Sequence, residues 1–226
     1  MFSMQLRMNF SSTGVAVTAE GTPVRIVRNA ETNLGDLCAD AYRALSNADI
    51  AFVNGGGIRK QIEAGDITLD DIYSVHPFGN TMCVIRVTGQ QVLDALEWGA
   101  RAVPSENGGF LQVSGLTYEI HTGVASSAEK DENGMFTRVS GEYRVKNVMV
   151  GGQPLELDKT YTLASHNYML LGHGDGYTMF DGCEVLGEDM MVDNQVLITY
   201  ITTTLGGVVG EQYANPYGDG RIVAVE

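Results

Sequence analysis

The segment DIAFVNGGGIR, residues 49–59, joins a short apolar run to three consecutive glycines and an arginine. Its first five residues have the length and composition of a buried β-strand, and the glycines predict a sharp turn after it. A turn without side chains also lets a ligand come close to the backbone of Gly56 and Gly57. Arg59 could then direct its planar, permanently charged guanidinium at an anion, while Asn54 offers both a donor and an acceptor. The segment therefore predicts a strand followed by either a purely structural reversal or a binding turn.

Two known phosphate-binding patterns do not fit this segment. A Walker-type loop requires Gly-Lys followed by Ser or Thr, whereas residues 57–60 read Gly-Ile-Arg-Lys. A dinucleotide-binding fingerprint spaces its glycines as G-x-G-x-x-G and opens a long helix, and three contiguous glycines match it only in part. Neither motif is therefore predicted here.

Helical and strand-like segments surround the glycine turn without regular alternation. Apolar residues recur every three or four positions over 34–45, which predicts a helix capped by Thr32 or Asn33. A second helix is predicted after Thr88 and a third from Asp193. Short alternating or extended segments predict strands at 13–27, 81–89, 107–120, 142–150 and 221–225. This mixture predicts an α+β fold, with mixed β-sheets packed against helices.

Composition limits the kinds of protein that the chain can be and the kinds of partner that it can bind. The chain has 226 residues and is 44% hydrophobic, which is enough for one large domain. Its net charge of −14 disfavours nucleic acids and anionic membranes as partners. No apolar stretch approaches the roughly 18–20 residues of a membrane helix. The three cysteines are far apart and form no CxxC pair, so neither a disulfide framework nor a zinc site is predicted.

Two further loops carry side chains that could bind a small molecule. In HPFGNT, residues 76–81, Phe78 either plugs the edge of the core or serves as an exposed stacking surface. In GHGDGY, residues 172–177, Asp175 offers too few oxygens for a calcium cage but could accept hydrogen bonds from vicinal hydroxyls. His173 has no second ligand at metal-binding spacing, and Arg28 taken alone is typical of a solvated surface residue.

Taken together, the arginines, the amide, the carboxylate and two loop aromatics suit a nucleotide. Aromatic faces stack on a base at roughly 1–3 kcal/mol per base. A carboxylate can hold ribose hydroxyls, and arginines can hold phosphate. The four histidines form no HxH or His-x-x-Glu-His pattern, so no two-metal phosphoesterase centre is predicted in this chain. No Ser-His-Asp arrangement is evident either, and we expect the chain to contain neither catalytic nor metal-binding residues.

Four segments, in order and at similar spacing, resemble signature blocks of the 5′-nucleotidase C-terminal domain: ETNLGDLCADAYR, NGGGIR, GDITLDDIYSVHPFGN and HNYMLLGHGDGY. The resemblance extends from about Arg25 to Arg221 and implies a fold like that of this domain. It also implies one substrate-binding site, made of Arg28, Asn54, Gly56, Gly57, Arg59, Phe78, Asn80, Tyr168 and Asp175.

The resemblance gives these residues individual roles. Phe78 and Tyr168 would clamp the base, although position 168 is usually Phe in the family. Asp175 would bind the ribose hydroxyls and Asn54 would contact the base. The two site arginines would reach ribose or phosphate oxygens. Asn80 stands where some bacterial members also have Asn.

The resemblance also bears on domain organisation. Full-length members carry an N-terminal metallophosphoesterase domain with two divalent metal ions and a catalytic His-Asp pair. No D-x-H, N-H-[DE] or G-H-x-H block precedes Arg25. We therefore expect residues 1–24 to be an N-terminal strand, a linker or a non-native start, and residues 25–226 to be the C-terminal domain. The metal domain is expected outside this chain, as a partner of it.

Two functions follow from this organisation. The chain could be the substrate-binding part of a metal-dependent nucleotide phosphohydrolase, located by resemblance outside the cell, in the periplasm or in the cell envelope. It could instead be a stand-alone, non-catalytic module that binds a nucleoside or nucleotide. A third relative, in which the domain serves thiosulfohydrolase chemistry, is disfavoured by the paired aromatics.

Overall fold

The computed structural model describes residues 6–8, 16–17 and 23–226 of the chain. The extended segment predicted at 13–27 lies partly outside the described residues, which include the paired strands Ala16–Val17 and Pro23–Val24. Among the described residues, Ile26–Arg28 forms a 3-10 turn rather than extended chain. This turn carries Arg28, so the difference from the prediction falls at a candidate site residue.

The described chain contains sixteen strands and five α-helices, with short 3-10 turns between them. The strands are β1 (Leu6–Met8), β2 (Ala16–Val17), β3 (Pro23–Val24), β4 (Ile50–Asn54), β5 (Gly65–Ile67), β6 (Met82–Thr88), β7 (Leu111–Ser114), β8 (Leu116–His121), β9 (Ala128–Lys130), β10 (Phe136–Val139), β11 (Val145–Val150), β12 (Gln153–Pro154), β13 (Thr160–His166), β14 (Glu184–Gly187), β15 (Val208–Val209) and β16 (Ile222–Val225). The helices are α1 (Asn33–Ser46), α2 (Leu69–Val75), α3 (Gly89–Ala100), α4 (Asn167–Leu170) and α5 (Asp193–Thr199).

The strands form mixed sheets, which confirms the predicted α+β class. The central five-stranded sheet has the order β14-β6-β13-β4-β7, in which β13 and β4 are parallel and the other neighbours are antiparallel. A four-stranded sheet has the order β12-β11-β8-β16, and a three-stranded sheet has the order β15-β1-β5. Two-stranded ribbons join β9 to β10 and β2 to β3.

Strand β4, in the interior of the central sheet, is buried on both faces. Along β4, Ala51 and Val53 belong to one hydrophobic cluster, whereas Ile50 and Phe52 belong to the other. The first cluster contains the apolar faces of α1, α2 and α5, and the second contains α3 together with the four-stranded sheet. A strand that is covered on both sides reads as a continuous apolar run, which explains the composition of residues 49–53.

Side-chain caps fix where the helices begin. Thr32 accepts a hydrogen bond from the Gly35 amide at 3.1 Å, which confirms one of the two predicted caps of α1. Thr88 caps α3, the helix predicted to begin after it, and forms a capping box with Gln91. The predicted last helix ends as α5 at Thr199 and continues as a wider π-helical turn over Tyr200–Thr204. Within the described residues, no helix combines the length and apolar character required to span a bilayer.

The register of the central sheet brings four chain segments to one edge. Because β4 and β13 are parallel, Asn54 and His166 end their strands at the same edge. The antiparallel neighbours begin there, since Met82 pairs with His166 and Leu111 pairs with Asn54. The loops before β6 and β7 and after β4 and β13 therefore converge, and this convergence positions the candidate site.

Candidate functional site

A cavity of about 390 Å³ opens at this edge of the central sheet. All of the residues that the sequence analysis placed in a substrate site line it, although they come from four separate parts of the chain. Gly108, in the loop before β7, also lines the cavity and was not predicted. The lining residues are Arg28, Asn54, Gly56, Gly57, Arg59, Phe78, Asn80, Gly108, Tyr168 and Asp175.

The three glycines form a 3-10 turn, Gly55–Gly57, directly after β4. A Cβ on Gly55 would lie 2.0 Å from the Val27 carbonyl oxygen, and a Cβ on Gly57 would lie 2.7 Å from Asn54 Oδ1. Gly56 donates its amide to the Gly108 carbonyl at 2.7 Å. Close internal packing therefore leaves no room for side chains at this turn, and the backbone of Gly56 and Gly57 still faces the cavity.

We expect Gly55→Ala to destabilise the domain by at least ~1 kcal/mol, because the new methyl group would collide with backbone that cannot move as a side chain does. The collision would push the turn that carries Arg28 away from the glycine turn, so ligand affinity should fall as well. Thermal unfolding measures the first effect. Gly123→Ala is the matched control, since a Cβ there would approach nothing closer than 4.0 Å. Equal melting temperatures for the two variants would refute the close packing.

A buried glutamine holds the turn that precedes α1. Gln112 Nε2 donates to the carbonyl oxygens of Val27 and Ala30, at 3.1 and 2.8 Å, and its Oε1 accepts from the Thr32 amide at 3.1 Å. The Arg28 carbonyl accepts the Asn107 amide at 2.9 Å. Gln112 thus satisfies backbone groups on both sides of Arg28 and fixes that residue at the cavity wall.

The two cavity arginines differ in their surroundings. Arg28 is partly buried, and within the described part of the chain its Nε has no hydrogen-bond partner. Burial together with the nearby Arg25 and Arg59 lowers the pKa of Arg28. Arg59 is exposed, donates to the Gly56 carbonyl at 3.1 Å, and places its guanidinium carbon 5.6 Å from the centre of the Phe78 ring. Concentrated positive charge with an unpartnered buried N–H suits an anionic group on a ligand.

Two aromatic side chains remain exposed at the cavity. Phe78 is 59% exposed and Tyr168 is 43% exposed, so of the two interpretations left open for Phe78 the structure favours the exposed ring over the core plug. Asn167 connects the segments that carry them, because its side-chain oxygen accepts the amides of Thr81 and Tyr168 at 3.1 and 2.9 Å. This bridge fixes the spacing of the two aromatic segments.

The loop that carries Phe78 is also anchored by Asp193, next to its contact with Asn167. The Asn80 amide donates to Asp193 Oδ2 at 3.2 Å, and the Asp193 amide donates to the Asn80 carbonyl at 2.8 Å. Partial burial raises the pKa of Asp193 to about 6. These two bonds tie the Phe78 loop to the start of α5.

Asp175 is held at the cavity by several donors. It adopts a left-handed backbone conformation with φ of 56°, and its carbonyl accepts the Trp98 indole N–H at 2.9 Å. Its Oδ2 accepts from Asn54 Nδ2 at 2.6 Å, and its Oδ1 accepts from the Tyr168 hydroxyl at 3.3 Å. The hydroxyl that distinguishes Tyr168 from phenylalanine therefore contacts the proposed ribose-binding carboxylate.

Two histidines that lie near the cavity have different surroundings. His173 pairs with Asp181, which gives it a structural partner. His166, which the sequence analysis did not select, is buried and lies 2.9 Å from Asn54 Oδ1 through its Nε2. The sequence signal that could have identified it is its place as the first residue of the segment HNYMLLGHGDGY.

Among the described residues, one group of carboxylates lies close enough together to be considered as a cation site. Oxygens of Glu31, Asp36 and Asp219 are all within 4.8 Å of one another. Glu31 accepts the amides of Asp219 and Ile222, each at 2.6 Å, and Arg221 Nε lies 2.9 Å from Asp219 and 3.6 Å from Asp36. Internal donors and a guanidinium thus already contact the group, and we interpret it as a clamp between the start of α1 and β16.

Comparison with known proteins identifies relatives for most of the chain. The family model described as 5′-nucleotidase, C-terminal domain, matches residues 12–182. The trifunctional nucleotide phosphoesterase protein YfkN of Bacillus subtilis is 36% identical over 203 residues, which are 88% of this chain and 13% of that protein. A 5′-nucleotidase of Vibrio cholerae is 34% identical over 176 residues, which are 78% of this chain and 28% of the relative.

A solved structure agrees with this result. The 5′-nucleotidase precursor of Thermus thermophilus superposes with a TM-score of 0.73 at 30% identity, covering 97% of this chain and 39% of that protein. The chain therefore corresponds to less than half the length of each of these relatives. By its sequence and its fold, the chain belongs to the family of 5′-nucleotidase C-terminal domains.

Proposed function

We propose that residues 25–226 form the substrate-binding domain of a metal-dependent 5′-nucleotidase-type phosphohydrolase that takes part in nucleotide catabolism. The observation that carries this proposal is the convergence of the predicted residues, chosen from separated segments, on one cavity. The cavity offers each kind of contact that a nucleotide requires, namely exposed rings for the base, a carboxylate for ribose hydroxyls and arginines for phosphate.

The domain's own residues would bind and orient the substrate. Phe78 and Tyr168 would stack on the base, Asp175 would accept from the ribose hydroxyls, and Arg28 and Arg59 would hold the phosphate. Holding a reactant in one orientation can lower a reaction barrier by roughly 7–11 kcal/mol in favourable cases. The divalent metal ions that supply the hydrolytic chemistry would belong to an N-terminal metallophosphoesterase domain of the parent protein. By resemblance, that protein would act outside the cell, in the periplasm or in the cell envelope.

The proposal predicts binding without turnover by this chain. In calorimetric titrations we expect adenosine and AMP to bind at the cavity and ribose 5-phosphate, which has no base to stack, to bind at least ~5-fold more weakly. In the same preparation we expect no release of phosphate from AMP with added manganese or zinc. Equal affinity for all three ligands would remove the base-stacking role, and metal-dependent turnover would contradict the proposed division of labour between domains.

A further inference from the structure

A buried histidine stands directly behind the proposed ligand site. His166 is 3% exposed, and the one hydrogen bond found for its ring joins Nε2 to Asn54 Oδ1 at 2.9 Å. Its Nδ1 is buried and has no hydrogen-bond partner among the residues that the structure describes. Burial lowers the pKa of His166 to about 3, so the ring is neutral at physiological pH. Burying a neutral imidazole that has a single hydrogen-bond partner costs desolvation free energy.

The hydrogen-bond pattern fixes the orientation of the Asn54 amide. Asp175 is an acceptor through its carboxylate, so the Asn54 atom 2.6 Å from Asp175 Oδ2 must be the nitrogen. Asn54 then turns its oxygen to His166, and an oxygen can only accept. His166 must therefore carry its proton on Nε2, and its bare nitrogen is the unpartnered Nδ1.

The same arrangement decides what Asn54 can offer to a ligand. Its oxygen is engaged by His166 and lies where a Cβ on Gly57 would approach within 2.7 Å. One hydrogen of its nitrogen is directed to Asp175. Because Asn54 lines the cavity, we infer that its second N–H hydrogen is available to a ligand, so Asn54 acts toward a ligand as a hydrogen-bond donor.

We propose that His166 is a positioning residue whose Nε2–H locks the Asn54 amide, so that the site selects nucleosides presenting a hydrogen-bond acceptor to Asn54. This inference rests on the proposed function for the identity of the ligand, but the locked amide belongs to the protein alone. The His166 ring also lies 5.9 Å, centre to centre, from the ring of Tyr168.

The first test needs no ligand. In ¹⁵N spectra of labelled histidine we expect His166 to show protonated Nε2 and bare Nδ1, without titrating between about pH 5 and 8. The opposite tautomer would overturn the proposal whether or not a nucleoside binds. The tautomer therefore tests the orientation of the Asn54 amide, whereas nucleoside binding tests the proposed function, and either result can be negative without the other.

The second test is a double-mutant cycle on adenosine affinity. His166→Leu removes the donor, and we expect roughly 3- to 10-fold weaker binding, as for the loss of one hydrogen bond. In an Asn54→Ala background the same substitution should change affinity less than ~2-fold, because there is no amide left to orient. His166→Gln, which keeps an N–H donor, should retain affinity close to that of the wild type. Equal losses in both backgrounds, or no loss in either, would refute the positioning role.

Discussion

Replacing Phe78 with alanine is expected to weaken adenosine binding by roughly 5- to 150-fold, the equivalent of ~1–3 kcal/mol for one stacked base. The ring is 59% exposed, so its removal leaves no core cavity, and the loss should appear in binding rather than in folding. Calorimetric titration measures the affinity, and thermal unfolding checks that the variant folds as the wild type does.

Tyr217→Ala provides a matched control for this substitution. Tyr217 is 64% exposed and does not line the cavity, so its loss should leave adenosine affinity unchanged. Tyr168→Ala should resemble Phe78→Ala, and the double variant should bind adenosine no better than ribose 5-phosphate. Wild-type affinity in the Phe78 variant would exclude this ring from the site and would leave the cavity without its main apolar contact.

The free energy of unfolding is expected to fall by up to ~1.4 kcal/mol between pH 7 and pH 8 because of one buried acid, Asp36. Burial, which outweighs the attraction of Arg221, raises the pKa of Asp36 to about 9 from an ordinary 3.8. In this window the folded protein keeps the proton while the unfolded chain has lost it. Unfolding therefore releases a proton, and rising pH favours the unfolded state until the folded pKa is passed. The window avoids the range below pH 6.5, where the lowered pKa values of His76 and His166 act in the opposite direction.

Asp36→Asn isolates this effect. Asparagine has nearly the same shape as the protonated acid but does not titrate, so the variant should lose this pH dependence and be more stable than the wild type at pH 8. Urea unfolding at several pH values measures both quantities. Asp158→Asn serves as a control, because its carboxylate lies outside the carboxylate clamp, in the exposed turn before β13. A wild-type stability that stays constant from pH 7 to pH 8 would contradict the raised pKa of Asp36.

Much of the site could be predicted because its chemistry resides in short segments with distinctive residue types. The sequence itself shows Phe78 between proline and glycine, Asp175 among glycines and Arg59 after the glycine run. The family resemblance then assigned these residues to one site. The strand at 49–53 and the helix caps at Thr32 and Thr88 were predictable because they depend on local pattern.

The supporting residues could not be predicted in this way. Gln112 and Asp193 are polar side chains in segments that read as ordinary strand and helix, His166 opens a signature segment without any role suggested by its residue type, and the partners of all three lie far away in the chain. The Gln112 contact with Val27 spans 85 positions, and the His166 contact with Asn54 spans 112. Only the tertiary fold brings such pairs together. The reason for the three consecutive glycines could not be predicted either, because the atoms that exclude a Cβ there belong largely to other segments.

The clamp at Glu31 has a consequence for how the protein is made. This carboxylate is buried at the entrance to α1, and its amide donors at Asp219 and Ile222 lie 188 and 191 positions later. On the ribosome, the beginning of that helix is synthesised long before its donors exist. Until residues 219–222 have left the exit tunnel, the Glu31 carboxylate lacks the amide donors that it has in the folded domain, so we expect it to stay hydrated and the start of α1 to remain exposed on that side.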